Sequence, residues 1–177
     1  MVRWNPEKSD RRAGPYRRHW PSTSGRSNTV STEENKAVVR RLMDALNDRV
    51  WPTGDLTAAD PFISPSYMYH DPANPLTGRE GFRRLVDLYR TAFPDTRFTI
   101  EDQIAEGDRV LTRMTARGTH TGPLMGIPAS GRPIEVSVLS LMRVVGGQVV
   151  EEWERFDTAH LLAQIGALPA PGSAPPR

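Results

Sequence analysis

The chain has 177 residues, no cysteine and a net charge of +2. That length suggests one domain with room for a substantial core. Without cysteine, disulfides, thiolate metal sites and thiol nucleophiles are excluded. The histidines, His19, His70, His120 and His160, show no ligand spacing, so no metal site is expected. No run approaches ~18 consecutive apolar residues, so no membrane span is expected.

Residues 1–30 carry seven basic and two acidic side chains, a net of +5, which leaves −3 for the rest. With its prolines and serines this arm reads as a disordered leader. A contact with nucleic acid or an acidic partner is the alternative. The arm lacks the apolar run of a signal peptide, so a cytoplasmic protein is expected. A folded domain is expected over 31–168, followed by a proline-rich tail over 169–177.

"STEE" offers a capping box, Ser31 with Glu34. Val38, Val39, Leu42, Met43, Leu46 and Val50 then recur as one helical stripe. "LTAAD" suggests a helical turn, and "SYMYHDP" a short strand. "TGRE" offers a second capping box, Thr77 with Glu80. The stripe Phe82, Leu85, Val86, Tyr89 and Phe93 follows and stops at "FPD". The period then changes to two. Two strands flank "EGD", with Val110, Thr112, Met114 and Ala116 on one face. "TGPLMGIPASGRP" reads as a loop. "IEVSVLSLMRV" and "QVVEEWERFD" form a hairpin on Gly146-Gly147, which suit the positive φ angles of a two-residue turn. A short helix from Thr158 ends at Gly166. Helices first and an antiparallel meander afterwards argue for an α+β fold. A sheet that curves over the helices would leave a concavity for a ligand.

A regular two-residue hairpin pairs Ser140 with Trp153, Met142 with Glu151 and Val136 with Asp157. Trp153 and Asp157 then share one face. Leu139, Leu141, Val150 and Phe156 share the other, where they could cover a homodimer contact. Glu151, Glu152 and Glu154 with Arg155 read as a charged, solvated outer face. Asp157 fits two roles. It can cap the helix that starts at Thr158, or it can be a working carboxyl. His70 ends a strand at the expected mouth of the concavity. His120 stands where a strand meets the loop, where it could orient a carbonyl or pin the loop.

"YHDP" (69–72), "GTHTG" (118–122), "GIPASG" (126–131) and "W-x-x-x-D-x-x-x-L-x-x-Q-I-G" (153–166) occur in this order. The chain resembles the SnoaL-like polyketide cyclases of the nuclear transport factor 2-like superfamily. The resemblance spans nearly all of 31–169. It implies a cone-shaped barrel of curved, mostly antiparallel sheet packed on N-terminal helices (the cystatin-like fold). It implies a ring-closing aldol reaction without metal or cofactor in secondary metabolism, and a dimer or higher assembly. It places the general acid/base on Asp157. His70, His120, Trp153, Met142 and Ser140 are the expected substrate-binding residues. Unlike the cyclases, this chain carries "VLSLM" on the penultimate strand, with Ser140 its only polar residue. That suits a smaller or less oxygenated substrate.

Two other readings stay open: an epoxide hydrolase-like or isomerase-like enzyme on the same fold, and a non-catalytic binding or assembly module. A second buried carboxylate or amide beside Asp157 would favour the former, and Asp87 is the carboxylate to inspect. An Asp157 turned away from the cavity would favour the latter. Neither nucleic acid nor a membrane is an expected partner.

Overall fold

Helix α1, Thr32–Ala45, begins at the expected capping box. The Ser31 amide donates to Glu34 Oε2 at 2.6 Å, and the Glu34 amide to Ser31 Oγ at 3.2 Å. A computed structural model describes residues 31–71 and 75–169. The readings of the arm over 1–30, with His19, and of the tail beyond 169 lie outside the described residues.

The six residues of the α1 stripe are buried. Each apolar side chain so placed contributes about 1.5–3 kcal/mol. Two asparagines fasten this segment to the sheet. Asn35 Nδ2 donates to the Gly107 carbonyl at 3.0 Å. Asn47 donates to the Phe98 carbonyl at 2.9 Å and accepts from the Phe98 amide at 2.8 Å. The helix widens to a π-helix over Leu46–Val50 and ends as α2, Trp51–Thr53, at Gly54 with φ 76°. Positive φ favours glycine at this stop. Trp51 is buried, donates Nε1 to the Phe93 carbonyl at 3.0 Å and meets the Phe98 ring edge-on.

A 3-10 turn, Leu56–Ala59, leads into β1, Ile63–Tyr69, and the two-residue β2, Leu76–Thr77. Helix α3, Gly78–Ala92, follows. The capping box expected at Thr77 does not form. Thr77 makes no side-chain cap, and the Glu80 side chain accepts from Arg83. Strands β3, Arg97–Glu106, β4, Arg109–Thr119, β5, Pro133–Val145, and β6, Gln148–Phe156, make the meander, and α4, Thr158–Gln164, closes the fold.

The six strands lie in the order β2-β1-β6-β5-β4-β3. All neighbours are antiparallel except β1 and β6, which run parallel. The expected α+β architecture is present. The sheet is open, however, with β2 and β3 as its edges, so the barrel is not closed. Its inner face packs on α1 and α3. Even-numbered residues of β5 from Ile134 to Val144 face inward and alternate with more exposed odd ones.

The β5–β6 hairpin turns at Gly146-Gly147, with φ 58° and 78°. Val145 pairs with Gln148 and Val144 with Val149, as a regular hairpin requires. Then the register shifts, and Arg143 pairs with Glu151. Val150 is thus an extra residue, a β-bulge. A one-residue slip exchanges the two faces of a strand. Beyond the bulge Met142 pairs with Glu152, Ser140 with Glu154 and Val138 with Phe156. The pairing expected for a regular hairpin is wrong by one residue from Val150 onward.

Candidate active site

The inner face of the sheet, α1 and α3 enclose a cavity of about 110 Å³. All five residues of the α3 stripe line it, together with Trp51, Phe98, Met114, Met142 and Phe156. Tyr89 and Phe156 meet edge to face at 6.0 Å. Among the described residues the lining includes no lysine, arginine or histidine, and its acidic members are Glu152 and Glu154.

These two glutamates reach the cavity because of the bulge. They stand two residues apart on one face of β6, about 6.7 Å along the strand. Glu152 is buried, and each of its oxygens is occupied. Tyr67 Oη donates to Oε2 at 2.6 Å and Ser140 Oγ to Oε1 at 2.7 Å. Tyr67 and Ser140 are themselves fully buried. Burial raises the Glu152 carboxyl above the ordinary range, while the two hydroxyl donors act in the opposite direction. Glu154 is partly exposed by surface area, yet its carboxyl stands in the apolar lining. Its pKa is pushed up to about 8, by desolvation first and by the neighbouring Glu152 second. The Tyr89 phenol is pushed up to about 12 by burial and then by Glu154. Tyr69 moves in the same direction for the same reasons. Both phenols stay protonated near neutral pH and remain donors.

Of the expected site residues, Met142 lines the cavity and Ser140 adjoins it through Glu152. The others lie elsewhere. Asp157 is exposed and caps α4, accepting the His160 amide at 2.9 Å. Its carboxylate is turned to the helix and does not line the cavity. Trp153, displaced to the opposite face of β6 by the bulge, stacks on His70 at 4.3 Å and 5°. His70 Nε2 meets Glu151 Oε2 at 2.9 Å, and Glu151 also pairs with Arg143. His120 is fully buried and pins the loop. Its Nδ1 lies 3.1 Å from Ser130 Oγ and accepts the Ser130 amide at 3.3 Å. Burial lowers the His120 pKa, which keeps the ring neutral. Asp87 pairs with Arg90 at 3.5 Å and is half exposed.

Glu152 and Glu154, expected on the solvated face, are therefore inside, and so is Phe156, expected at a dimer contact. No local pattern in the chain marked this. Val149 is buried and Phe156 faces the cavity, yet they are seven residues apart. No face of a regular strand holds both, so a β6 with both inside requires a bulge.

The chain matches the family SnoaL-like polyketide cyclase over residues 21–165 and belongs to that family. It is 29% identical over 135 residues to the aklanonic acid methyl ester cyclase of Streptomyces peucetius, covering 73% of this chain and 88% of that one. It is 30% identical over 122 residues to the nogalonic acid methyl ester cyclase of Streptomyces nogalater, covering 64% and 87%. Among solved structures it is similar to AclR, a proposed hydroxylase of Streptomyces galilaeus, at TM-score 0.68 and 29% identity, over 78% of this chain and 89% of that one. TsrD of Streptomyces laurentii matches at TM-score 0.66 and 32% identity, over 75% and 98%. The fold is that of the nuclear transport factor 2-like superfamily.

Proposed function

We propose that the protein is an acid/base enzyme of the cyclase type that closes a ring on a neutral, carbonyl-rich small molecule, with Glu154 as the acid/base. The observation that carries this reading is a carboxyl of raised pKa standing in an apolar cavity beside a second carboxyl. A methylene between two carbonyls is acidic enough to yield a proton to such a base. The carbanion attacks a carbonyl carbon of the same molecule, one carbon–carbon bond forms, and the resulting alkoxide takes the proton back from Glu154. No atom is gained or lost, and the cycle as written uses no cofactor. A carboxyl near neutral pKa can serve in both directions, an effect worth roughly 10²–10⁴-fold. Tyr89 adds a neutral donor for the developing oxyanion.

The lining also bears on the substrate. Two carboxyls and no cation repel a free acid, so an esterified or otherwise neutral polyketide fits better. The names of the two curated relatives specify methyl esters. The cavity is small beside the ~300–1,000 Å³ usual for ligands. It would hold the reacting end, and the rest would lie in the open groove that shares Met43, Phe98 and Ile134 with it.

The family motif favours Asp157 as the acid/base, whereas the burial and surroundings of Glu154 support the reading proposed here. The two are separated by incubating the enzyme with aklanonic acid methyl ester and following ring closure. Glu154→Gln is expected to lower turnover by roughly 10²-fold or more. Asp157→Asn, which keeps the cap, is expected to retain most of it. The reverse result returns the role to Asp157. Loss in neither variant would favour the binding-module reading. The second carboxyl also suits an epoxide-opening enzyme, in which one carboxyl activates water while the other protonates the oxygen. Turnover of an epoxide with none of the ester would select that reading.

A further inference from the structure

Two carboxyls in one apolar cavity raise the question of which keeps the proton. Their surroundings differ. Glu152 accepts a hydroxyl hydrogen bond on each oxygen, from Tyr67 on β1 and Ser140 on β5, both fully buried. Among the described residues no side-chain hydrogen bond reaches the Glu154 carboxyl. Hydroxyl donors stabilise a carboxylate over a carboxylic acid. They also hold Glu152 in one rotamer, since a turn about its χ angles would leave Tyr67 Oη and Ser140 Oγ as unpaired buried groups.

We infer that Tyr67 and Ser140 are positioning residues: they clamp Glu152 as the fixed anionic partner of the cavity and leave Glu154 as the carboxyl that exchanges its proton with substrate. The inference rests on the reading of Glu154 as the acid/base. It adds a division of labour to that reading. Glu152 never releases its two donors during the cycle. Its negative charge holds on Glu154 the proton taken from the methylene until the alkoxide claims it. Tyr69 from β1 and Tyr89 from α3 stand within the field of Glu154, and Asp71 just after β1 acts on these two tyrosines. The two tyrosines stay neutral, so the charge that Glu154 feels from inside the cavity is that of Glu152.

The ring of Tyr67 packs edge-on against Phe82 at 5.6 Å. Tyr67→Phe therefore removes one hydroxyl while keeping the packing, and Ser140→Ala removes the other at small volume cost. The experiment is a carboxyl titration of the full chain labelled with side-chain ¹³C glutamate, followed by NMR. The Glu154 resonance is the one that disappears in Glu154→Gln. In Tyr67→Phe, Glu152 loses a donor and competes for the proton, so the Glu154 midpoint should fall, by about one unit for strongly interacting sites. Glu152→Gln removes the charge itself and should lower the Glu154 midpoint at least as far. Ser140→Ala should act in the same direction as Tyr67→Phe. A merely structural role would lower the melting temperature and leave the midpoint in place. An unmoved Glu154 midpoint in Tyr67→Phe and Glu152→Gln overturns the inference even if Glu154→Gln is inactive on the ester. If the midpoint moves but Glu154→Gln keeps full turnover, the clamp stands as electrostatics and the acid/base reading fails.

Discussion

A glutamate whose carboxyl is pushed up to about 8 holds a proton that the unfolded chain releases near the ordinary value of 4.5. Between these values the folded state binds more protons than the unfolded state. Stability contributed by the protonated form is fully present below the lower value and is lost as pH rises through the upper one. Glu154→Gln carries no such proton. It should therefore flatten the decline of melting temperature between about pH 4.5 and 8. Part of the slope should remain, because Glu152 is raised in the same direction. Thermal scans across this range check the point. An identical slope in the variant would mean that Glu154 titrates as a surface group. The same residue scale explains the two candidate acids. A carboxylate that accepts a helix amide, as Asp157 does, is engaged by its own backbone, whereas one left without donors in an apolar wall is free to move a proton.

At the scale of the element, the bulge at Val150 decides which half of β6 is chemistry and which is surface. Glu151, Trp153 and Arg155 face outward, where Glu151 joins Arg143 and His70 and Trp153 covers the His70 ring. Deleting Val150 leaves Glu151 as the next residue to pair with Arg143, so the regular hairpin that results keeps Glu152 and Glu154 on the inner face. The deletion variant should therefore fold, with a loss within the roughly 0.5–3 kcal/mol usual for a single change. Val150→Ala keeps the extra residue and should keep the fold. Far-ultraviolet circular dichroism and thermal unfolding of the two variants give the comparison. A deletion variant that fails to fold would show that the bulge itself, and not only the register beyond it, is required. The loop between β4 and β5 has a similar single-residue dependence. His120 holds it from both sides, its amide donating to the Arg132 carbonyl and its carbonyl accepting from Gly131.

Across the whole molecule, the outer face of the sheet remains to be covered. Ile104 pairs with Leu111, Leu111 with Leu141 and Leu141 with Trp153, an apolar row across four strands. Leu139, expected at a dimer contact, is 46% exposed beside this row. Phe156, expected there too, is inside. The homodimer proposed from the sequence thus has a narrower basis than first drawn, namely this row. Light scattering at micromolar concentration should give twice the 19.8 kDa chain mass, and Leu139→Glu should reduce it to one. A wild-type monomer would refute the dimer. Among the described residues no helix is long and apolar enough to cross a membrane.

Local order determined most of the architecture. Helical stripes, the capping box at Ser31, the two-residue glycine turn and the alternation on β4 and β5 are all short-range patterns, each readable from neighbours in the chain. The family was legible for the same reason, since its motifs are short and ordered. What tertiary structure alone decided was the face of β6. Period-two alternation carries no mark of one inserted residue, and an error of one exchanges every side chain of the strand. Trp153 and Asp157 left the cavity by that exchange and by the turn into α4, while Glu152 and Glu154 entered it. The partners of Glu152, Tyr67 and Ser140, come from strands 85 and 12 residues away. Only the parallel pairing of β1 with β6 and the antiparallel pairing of β5 with β6 bring those hydroxyls to one carboxyl, and with them the electrostatics of the site.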